Sequence, residues 1–409
     1  MHGPNREEAK VKRSASLLAM IVALLPALSP AMPGQLAEGE LAKSIVPVDL
    51  HVSFVPPPFR GDGQLGLAYE LRLANFRNIE LTLTQVDVFP LEDRTHSLLS
   101  LAGPDLVQCL LRPGKPPGME RPELLAGGEF AVVMLWVIMD PGQPVPSSIA
   151  HRATFRLVRG DGSKSELPVE GAVIYPPAQT LLPVCPPLGR GRWLMANGPG
   201  MLGEHRLFLH SLDGRASNTQ RLASDWMLLG PDGRLVKDDP EDNADWYSYG
   251  EPVLAVADAI VVDAADGIPE NVPLSDERAV PNKRETMTGN YVVLNLAEDT
   301  FAFYGHLQPG SVRVQVGDHV RAGQELGRIG NSGNSDAPHL HFHVANGSDP
   351  LSGEGLPFSL TSFAVLEVLD VPFWERMLVE NEPWEQTVAA EPKLHEAEMP
   401  VGEAIIEFR

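Results

Sequence analysis

The stretch Pro338-His-Leu-His-Phe-His-Val344 places a histidine at every second position. Because alternate side chains of a β-strand point to the same face of its sheet, we expect the three imidazoles to lie side by side. Leu340 and Phe342 would then point into apolar packing on the opposite face. A histidine-rich strand can also be a solvated face, but three histidines flanked by residues suited to a core favour a metal centre.

A catalytic zinc ion typically has three protein ligands and keeps a fourth position open. The strand at 338–344 can supply one or two of these ligands, so the others must come from elsewhere in the chain. Asp225, within Arg221-Leu-Ala-Ser-Asp-Trp-Met-Leu-Leu229, is a candidate. A carboxylate in an apolar strand is costly unless it is paired, hydrogen-bonded or metal-bound. A position at a strand edge, or an ion pair with Arg221, is the alternative.

A third histidine-bearing strand is predicted by Thr300-Phe-Ala-Phe-Tyr-Gly-His-Leu307. Strand alternation places Tyr304 and His306 on the same face. His306 can line a cleft and hydrogen-bond to water or to an oxyanion. It can equally be a surface histidine before the turn at 308–310, and the spacing leaves both interpretations open.

The length and charge of the chain set outer bounds on its function. Its 409 residues are too many for one ordinary domain and indicate two or three units. The formal net charge of −22 argues against a general nucleic-acid binder, since no basic surplus exists to neutralise phosphates. It argues equally against docking of the folded protein on anionic lipid.

Residues 1–31 have the pattern of a secretory signal peptide. Basic residues precede an apolar run over 14–28, and Ser29-Pro-Ala31 offers a small-x-small cleavage site. An uncleaved membrane anchor is the alternative, but the run is about 15 residues and broken by Pro26, whereas a span needs ~20. We therefore expect export to the periplasm or cell envelope, with membrane contact only through this segment during export.

Residues 44–177 read as a first β-rich unit. Runs such as 65–74 and 153–158 alternate polar and apolar residues and are separated by turn residues. Several antiparallel strands in this length are typical of an immunoglobulin-like β-sandwich. No cluster of histidines, cysteines or paired carboxylates lies in this segment, so its ligand stays open.

A proline-rich linker at 175–187 leads to a second β-rich unit at 189–350. The remaining residues, 351–409, form an acidic extension with a weak strand pattern at 404–408. The chain has two cysteines, Cys109 and Cys185, too few for a zinc-finger set. In an oxidising compartment they can pair or remain free thiols.

Four motifs occur in order in the second unit: Tyr304-Gly-His-Leu307, Val316-Gly-Asp-His-Val-Arg-Ala-Gly-Gln-Glu-Leu-Gly327, Gly330-Asn-Ser-Gly-Asn-Ser335 and Pro338-His-Leu-His-Phe342. Together they resemble the lysostaphin/LytM-type zinc metallopeptidases, also called the duplicated-hybrid-motif family. The set is specific, although the second motif alone is shared with lipoyl and biotinyl carrier hairpins. The resemblance implies a mainly β chain in which an antiparallel β peptidase domain holds one Zn²⁺ in an open groove.

The resemblance also implies roles for individual residues. Asp225 and His341 correspond to zinc ligands. His306 and His339 correspond to the catalytic pair that orients the attacking water and stabilises the tetrahedral intermediate. His343 stands where the family often has Glu or Gln, and we expect it to support His341, which faces the same way.

The third zinc ligand departs from the family pattern His-x-x-x-Asp, because Arg221 stands four positions before Asp225. The upstream segment Gly203-Glu-His-Arg-Leu-Phe-Leu-His210 offers His205 and His210 instead. Some members resemble this chain in carrying Gly-x-His-Arg there, which favours His205. If neither histidine reaches the metal, the domain is an inactive relative.

The resemblance and the export signal together predict an exported zinc metalloendopeptidase that hydrolyses peptide bonds of peptidoglycan cross-bridges. One alternative is a catalytically inactive scaffold that binds the wall or activates another wall hydrolase. Another is a peptidase that acts on a secreted protein instead of the wall. The sequence leaves the cleaved bond and the oligomeric state open.

Overall fold

The structure, a computed structural model, describes residues 46–409 except 117, 141, 179–180, 182, 202 and 386–391. The predicted signal peptide at 1–31 lies outside these residues. The described chain is mainly β, as the sequence predicts, and none of its helices is long and apolar enough to cross a membrane. Its α-helices are α1 (Gly103–Gln108), α2 (Glu204–Leu207) and α3 (Val371–Val379), and a 3-10 helix spans Asn243–Asp245.

Among the described residues, ten strands precede the proline-rich linker. They are β1 (Val48–Val52), β2 (Phe59–Gly61), β3 (Gln64–Asn75), β4 (Leu81–Pro90), β5 (Leu99–Ala102), β6 (Leu110–Leu111), β7 (Leu124–Leu125), β8 (Phe130–Met139), β9 (Ile149–Val158) and β10 (Lys164–Ile174). Asp62 and Gly63 join β2 to β3 in a two-residue turn, and both residues have positive φ, as such hairpins require.

These strands form two antiparallel sheets, which we call the N-terminal sheet pair. One has the order β1-β3-β8-β6 with β2 beside β3, and the other has the order β10-β9-β4-β5 with β7 beside β4. Leu71 and Val133 of the first sheet share one buried core with Val86 and Phe155 of the second. The alternating strands of the sequence thus supply the apolar faces that the two sheets bury. The immunoglobulin-like assignment stays a prediction.

The strands that follow the linker build a larger sheet. They are β11 (Pro183–Val184), β12 (Gly191–Ala196), β13 (His210–Leu212), β14 (Arg215–Ser217), β15 (Ser224–Leu228), β16 (Pro252–Leu254), β17 (Ala259–Ala265), β18 (Asn290–Ala297), β19 (Thr300–Leu307), β20 (His319–Val320), β21 (Glu325–Arg328), β22 (Leu340–Ala345), β23 (Gly355–Leu356), β24 (Ser359–Val368), β25 (Lys393–Glu398) and β26 (Ala404–Phe408).

Twelve of these strands form the central sheet, in the order β11-β24-β26-β12-β15-β22-β19-β18-β17-β20, with β23 beside β22 and β25 beside β24. The strands β13 and β14 form a separate pair, as do β16 and β21. In the central sheet β22 lies between β15 and β19. These three neighbouring strands carry most of the candidate site residues.

Residues 351–409, predicted as an acidic extension, take part in the central sheet. They supply β23, β24, β25 and β26, and β26 pairs with both β12 and β24. The strand pattern at 404–408 is therefore confirmed. These pairings could not be predicted from local patterns, because the partner strand β12 lies about two hundred residues away along the chain.

The two cysteines, Cys109 and Cys185, are both free thiols. Cys109 is buried in the core of the N-terminal sheet pair. The alternative of a disulfide between them is therefore wrong for this structure.

A buried ion network joins the N-terminal sheet pair to the central sheet. Arg221 is 1% exposed and donates from Nε and Nη2 to both carboxylate oxygens of Glu70 on β3, at 2.6–3.2 Å. Its Nη2 also donates to Glu354 Oε2 at 2.6 Å. The alternative in which Arg221 pairs with Asp225 is therefore wrong. Burial alone would raise the pKa of Glu70, but the charge and hydrogen bonds of Arg221 hold it below its usual value.

Replacing Arg221 with methionine should lower the free energy of unfolding by about 3–5 kcal/mol at pH 7, because two buried carboxylates lose their partner. Urea unfolding measures this change.

In the wild type, the depressed pKa of Glu70 stabilises the fold above the unfolded-state pKa of about 4.3. That contribution is lost as the pH falls through the lower folded-state pKa. Arg313→Met, which breaks the exposed pair with Glu325, is the control and should change stability far less. An Arg221→Met protein as stable as wild type at pH 7 would contradict the prediction.

Candidate metal centre

Three adjacent strands of the central sheet bring the candidate side chains together. Asp225 on β15 and Gly305 on β19 both lie opposite His341 on β22. His306 follows Gly305 on β19, and His339 lies just before β22. Since neighbouring strands lie about 4.8 Å apart, opposite residues on them are within reach of side-chain contact.

The strand β22 separates histidines from core residues, as its period of two predicts. Leu340 and Phe342 are fully buried in the core of the central sheet. On the other face, the rings of His341 and His343 lie next to each other and next to Phe303. The predicted faces of this strand are therefore confirmed.

His205, Asp225 and His341 form a cluster in which one potential ligand atom from each lies within 4.8 Å of the others. His341 Nδ1 is 3.0 Å from Asp225 Oδ1, and His205 Nε2 is 3.5 Å from Asp225 Oδ2. His210, the alternative third ligand, instead bonds through Nε2 to the carbonyl of Leu351. The structure thus places His205, and not His210, beside Asp225 and His341.

Hydrogen bonds around this cluster orient its donor atoms. His205 Nδ1 donates to the carbonyl of Asn197 at 2.9 Å, which leaves Nε2 as the lone-pair nitrogen towards Asp225. Asn197 Nδ2 donates to Asp225 Oδ2 at 3.0 Å. His343 Nδ1 lies 3.0 Å from His341 Nε2. When His341 carries its proton on Nε2, His343 Nδ1 can accept that hydrogen bond, and Nδ1 of His341 keeps its lone pair for a metal. The support from His343 was expected; that from Asn197 was missed, because nothing in the sequence around it signals the contact.

The protonation states of the cluster suit a cation. Burial lowers the pKa of His341 to about 4, so its imidazole is neutral at pH 7. Burial would raise the pKa of Asp225, but the neighbouring His205 and His339 hold it well below its usual value. Two imidazoles and an ionised carboxylate are a donor set that zinc takes in catalytic sites. The residues present therefore fit a zinc ion.

The backbone of β19 departs from regular alternation at His306, whose φ is 62°. Tyr304 lies on the core face, where its hydroxyl accepts a hydrogen bond from the backbone nitrogen of Val256 at 3.0 Å. The ring of His306 lies on the other face, with its centroid 4.9 Å from that of His339 and 5.8 Å from that of His341. The prediction that Tyr304 and His306 share a face is therefore wrong. Histidine is one of the few residue types enriched at positive φ, and such strained positions cluster at active sites.

His306 and His339 each donate from Nδ1 to a backbone carbonyl, so Nε2 is the atom left for chemistry. The acceptors are the carbonyls of Ser332 and Ala337, both at 2.8 Å. Burial and the nearby histidines lower the pKa of His306 well below its usual value. For His339, burial alone would lower the pKa. The charge and hydrogen bond of Asp225, whose Oδ1 lies 3.5 Å from His339 Nε2, raise it above its usual value instead. Neighbouring groups whose pKa values are pushed apart are typical of an acid and base pair.

The cluster and the imidazole pair open into one cleft of about 330 Å³. Trp374 and Leu378 of α3 line this cleft together with Phe208 and Met287. The contribution of α3 was missed at the sequence level, since it depends on how the C-terminal strands place this helix. The cleft thus combines polar atoms with an apolar wall, as sites for small ligands and peptide segments commonly do.

The sequence model of Peptidase family M23 matches residues 246–352. The chain contains a peptidase family M23 domain. The match includes His306, His339 and His341, whereas His205 and Asp225 precede it. Members of this family are zinc metallopeptidases, so the M23 domain indicates a metallopeptidase role, and the His/Asp cluster supplies a candidate metal site.

Two curated relatives and a solved structure are similar to part of this chain. An uncharacterized metalloprotease of Buchnera aphidicola subsp. Baizongia pistaciae is 27% identical over 109 residues, which are 26% of this chain and 24% of the relative. Endolysin 2638A of Staphylococcus phage 2638A is 44% identical over 59 residues, or 14% of this chain and 12% of the relative. The catalytic domain of lysostaphin from Staphylococcus simulans is 23% identical, with 36% of this chain and 80% of that domain covered and a TM-score of 0.20. This chain thus spans a quarter or less of the curated relatives it matches.

Proposed function

We propose that this protein is an exported zinc metalloendopeptidase that hydrolyses peptide bonds of peptidoglycan cross-bridges. One observation carries the proposal: the triad of His205, Asp225 and His341 shares a cleft with the imidazole pair of His306 and His339. A site that only binds a metal would not need two further imidazoles. His306 and His339 each bond to a backbone carbonyl through Nδ1, and this leaves Nε2 for other contacts.

The triad would hold the zinc ion, through Nε2 of His205, a carboxylate oxygen of Asp225 and Nδ1 of His341. When bound, zinc supplies Lewis acidity that polarises a scissile carbonyl and lowers the pKa of water to about 7. Asn197 and His343 keep the donor atoms of the triad oriented.

His306 and His339 handle protons in this proposal. His306 is neutral, and its Nε2 accepts the proton of the attacking water. His339, with its raised pKa, donates from Nε2 to the nitrogen of the leaving amine. Because each Nδ1 is fixed on a carbonyl, neither ring needs to reorient for these steps.

The substrate and the location rest on sequence similarity. The relative from a Staphylococcus phage is named an endolysin, which agrees with a cell-wall substrate. The signal pattern at 1–31 supports export. The inactive scaffold was suggested by Arg221 in place of a histidine ligand, and the position of His205 beside Asp225 supports the active enzyme over that alternative.

Removing the metal should abolish activity reversibly. We expect the purified mature protein to hold about one zinc ion per chain, as a three-ligand site implies. Elemental analysis measures this ratio, and release of new amines from intact sacculi measures the activity. Dialysis against a chelator should reduce amine release to background, and added zinc should restore it.

Free cross-bridge peptides and a secreted protein, assayed beside sacculi, separate wall hydrolysis from general peptidase activity. Zinc-loaded protein that releases no amines from sacculi but cleaves the secreted protein would contradict the proposed substrate. Chelator-treated protein with full activity would contradict the metal mechanism itself.

A further inference from the structure

The helix α2, which carries His205, is a single turn of four residues. It has no side-chain hydrogen bond at its N-cap, and Gly203 precedes it. Isolated helices of this length are not stable in water, because nucleation costs more than so few hydrogen bonds return. Other contacts must therefore hold His205 in place.

Arg206, the next residue, supplies such contacts with the N-terminal sheet pair. It is 1% exposed, and its Nη2 donates to the carbonyls of Leu135 on β8 at 3.0 Å and Tyr69 on β3 at 3.4 Å. Its guanidinium also lies 5.6 Å from the ring centroid of Trp136. Burying this charge is costly unless it is well hydrogen-bonded, so the carbonyls of both strands fix where Arg206 can lie.

The guanidinium of Arg206 and the side chain of Asn218 also bind the backbone on either side of His205. Nη1 of Arg206 donates to the carbonyls of Met201 at 3.2 Å and Gly200 at 3.4 Å, just before α2. Asn218 Nδ2 donates to the carbonyl of Arg206 at 2.8 Å and to Glu70 Oε1 at 3.4 Å. The backbone on both sides of His205 is thereby tied to β3 and β8.

We propose that Arg206 is a positioning residue for the metal ligand His205, and that the N-terminal sheet pair completes the metal centre through it. The backbone of residue 206 is fixed by the sheet pair, and the ring of His205 is fixed by its bond to Asn197. With both constraints, Nε2 of His205 is held 3.5 Å from Asp225 Oδ2. This inference rests on the zinc site of the proposed function and gives the sheet pair a role beyond spacing.

Zinc affinity of the full mature chain, measured by competition with a chromogenic chelator, tests the inference. We expect Arg206→Met to weaken zinc binding about 10–100-fold, the range typical of residues that orient a metal ligand. Arg206→Lys should weaken binding less, since it keeps the charge but loses the planar fork. Arg112→Met is the matched control. Arg112 is also a buried arginine of the sheet pair, bonded to the carbonyls of Pro122 and Leu124, and its loss should leave zinc affinity unchanged.

Comparison with the Arg112→Met control separates positioning from a general loss of structure. If Arg206 positions His205, Arg206→Met should weaken zinc binding, whereas Arg112→Met should keep wild-type affinity even if urea unfolding shows that it is equally destabilised. Wild-type affinity in Arg206→Met, or an affinity loss no larger than that of Arg112→Met, would overturn the inference. If Arg206→Met does not fold, Arg206→Lys carries the same comparison, and unchanged affinity there overturns it. Failure of the wild type to bind zinc would instead overturn the proposed function.

Discussion

His341→Ala should remove the bound zinc and lower the rate of peptide hydrolysis by at least about 10³-fold, more than the loss of one oxyanion donor. His341 is 3% exposed and lies between Asp225 on β15 and Gly305 on β19. Among the described residues, His205, Asp225 and His341 form the group whose potential ligand atoms lie within 4.8 Å of one another. With one imidazole gone, the remaining His205 and Asp225 are too few for a stable zinc site.

Elemental analysis of the purified variant and amine release from sacculi measure the two losses. His210→Ala is the informative control, because His210 bonds to the carbonyl of Leu351 and lies outside the cluster. We expect His210→Ala to retain zinc and His205→Ala to lose it. Zinc that is lost with His210→Ala but retained with His205→Ala would contradict the triad. Zinc that is retained in His341→Ala would contradict the role of β22 as the metal strand.

The part of the site on β22 could be predicted because local alternation alone determines it. Two-residue periodicity around His341 fixes which side chains face the core, and Leu340 and Phe342 lie there. The same rule failed on β19, since the positive φ of His306 turns its side chain to the other face. No hydrophobic pattern records a single reversed dihedral angle. The resemblance assigned His306 its role without its orientation.

The third ligand depended on contacts that the local sequence does not contain. His205 and His210 are both plausible on spacing, and what distinguishes them is the anchoring of Arg206 on β3 and β8, more than sixty residues upstream. The partners of Arg221 could not be predicted, because Glu70 and Glu354 come from distant segments of the chain. Long-range pairing also explains why the strands after residue 351 were not assigned to the central sheet.

His306→Asn should lower kcat by about 10²–10⁴-fold while the zinc content stays at the wild-type value, since general acid–base catalysis contributes a factor of this size. Asparagine is chosen because it tolerates positive φ and so preserves the backbone of β19 better than alanine. The substitution removes the imidazole whose centroid lies 4.9 Å from that of His339, and it leaves the triad of metal ligands in place. Steady-state hydrolysis of a cross-bridge peptide, elemental analysis and thermal unfolding measure the three quantities.

The comparison with His341→Ala distinguishes a catalytic role of His306 from a non-specific disturbance of the site. Both histidines are buried in the same cleft, so a non-specific disturbance of the site should affect zinc and kcat together in both variants. A catalytic His306 instead separates the two quantities: His341→Ala loses zinc and rate, and His306→Asn loses rate alone. If His306→Asn also loses zinc, His306 belongs to the metal-binding set or its support. If it keeps both zinc and rate, proton transfer must be assigned to His339 alone.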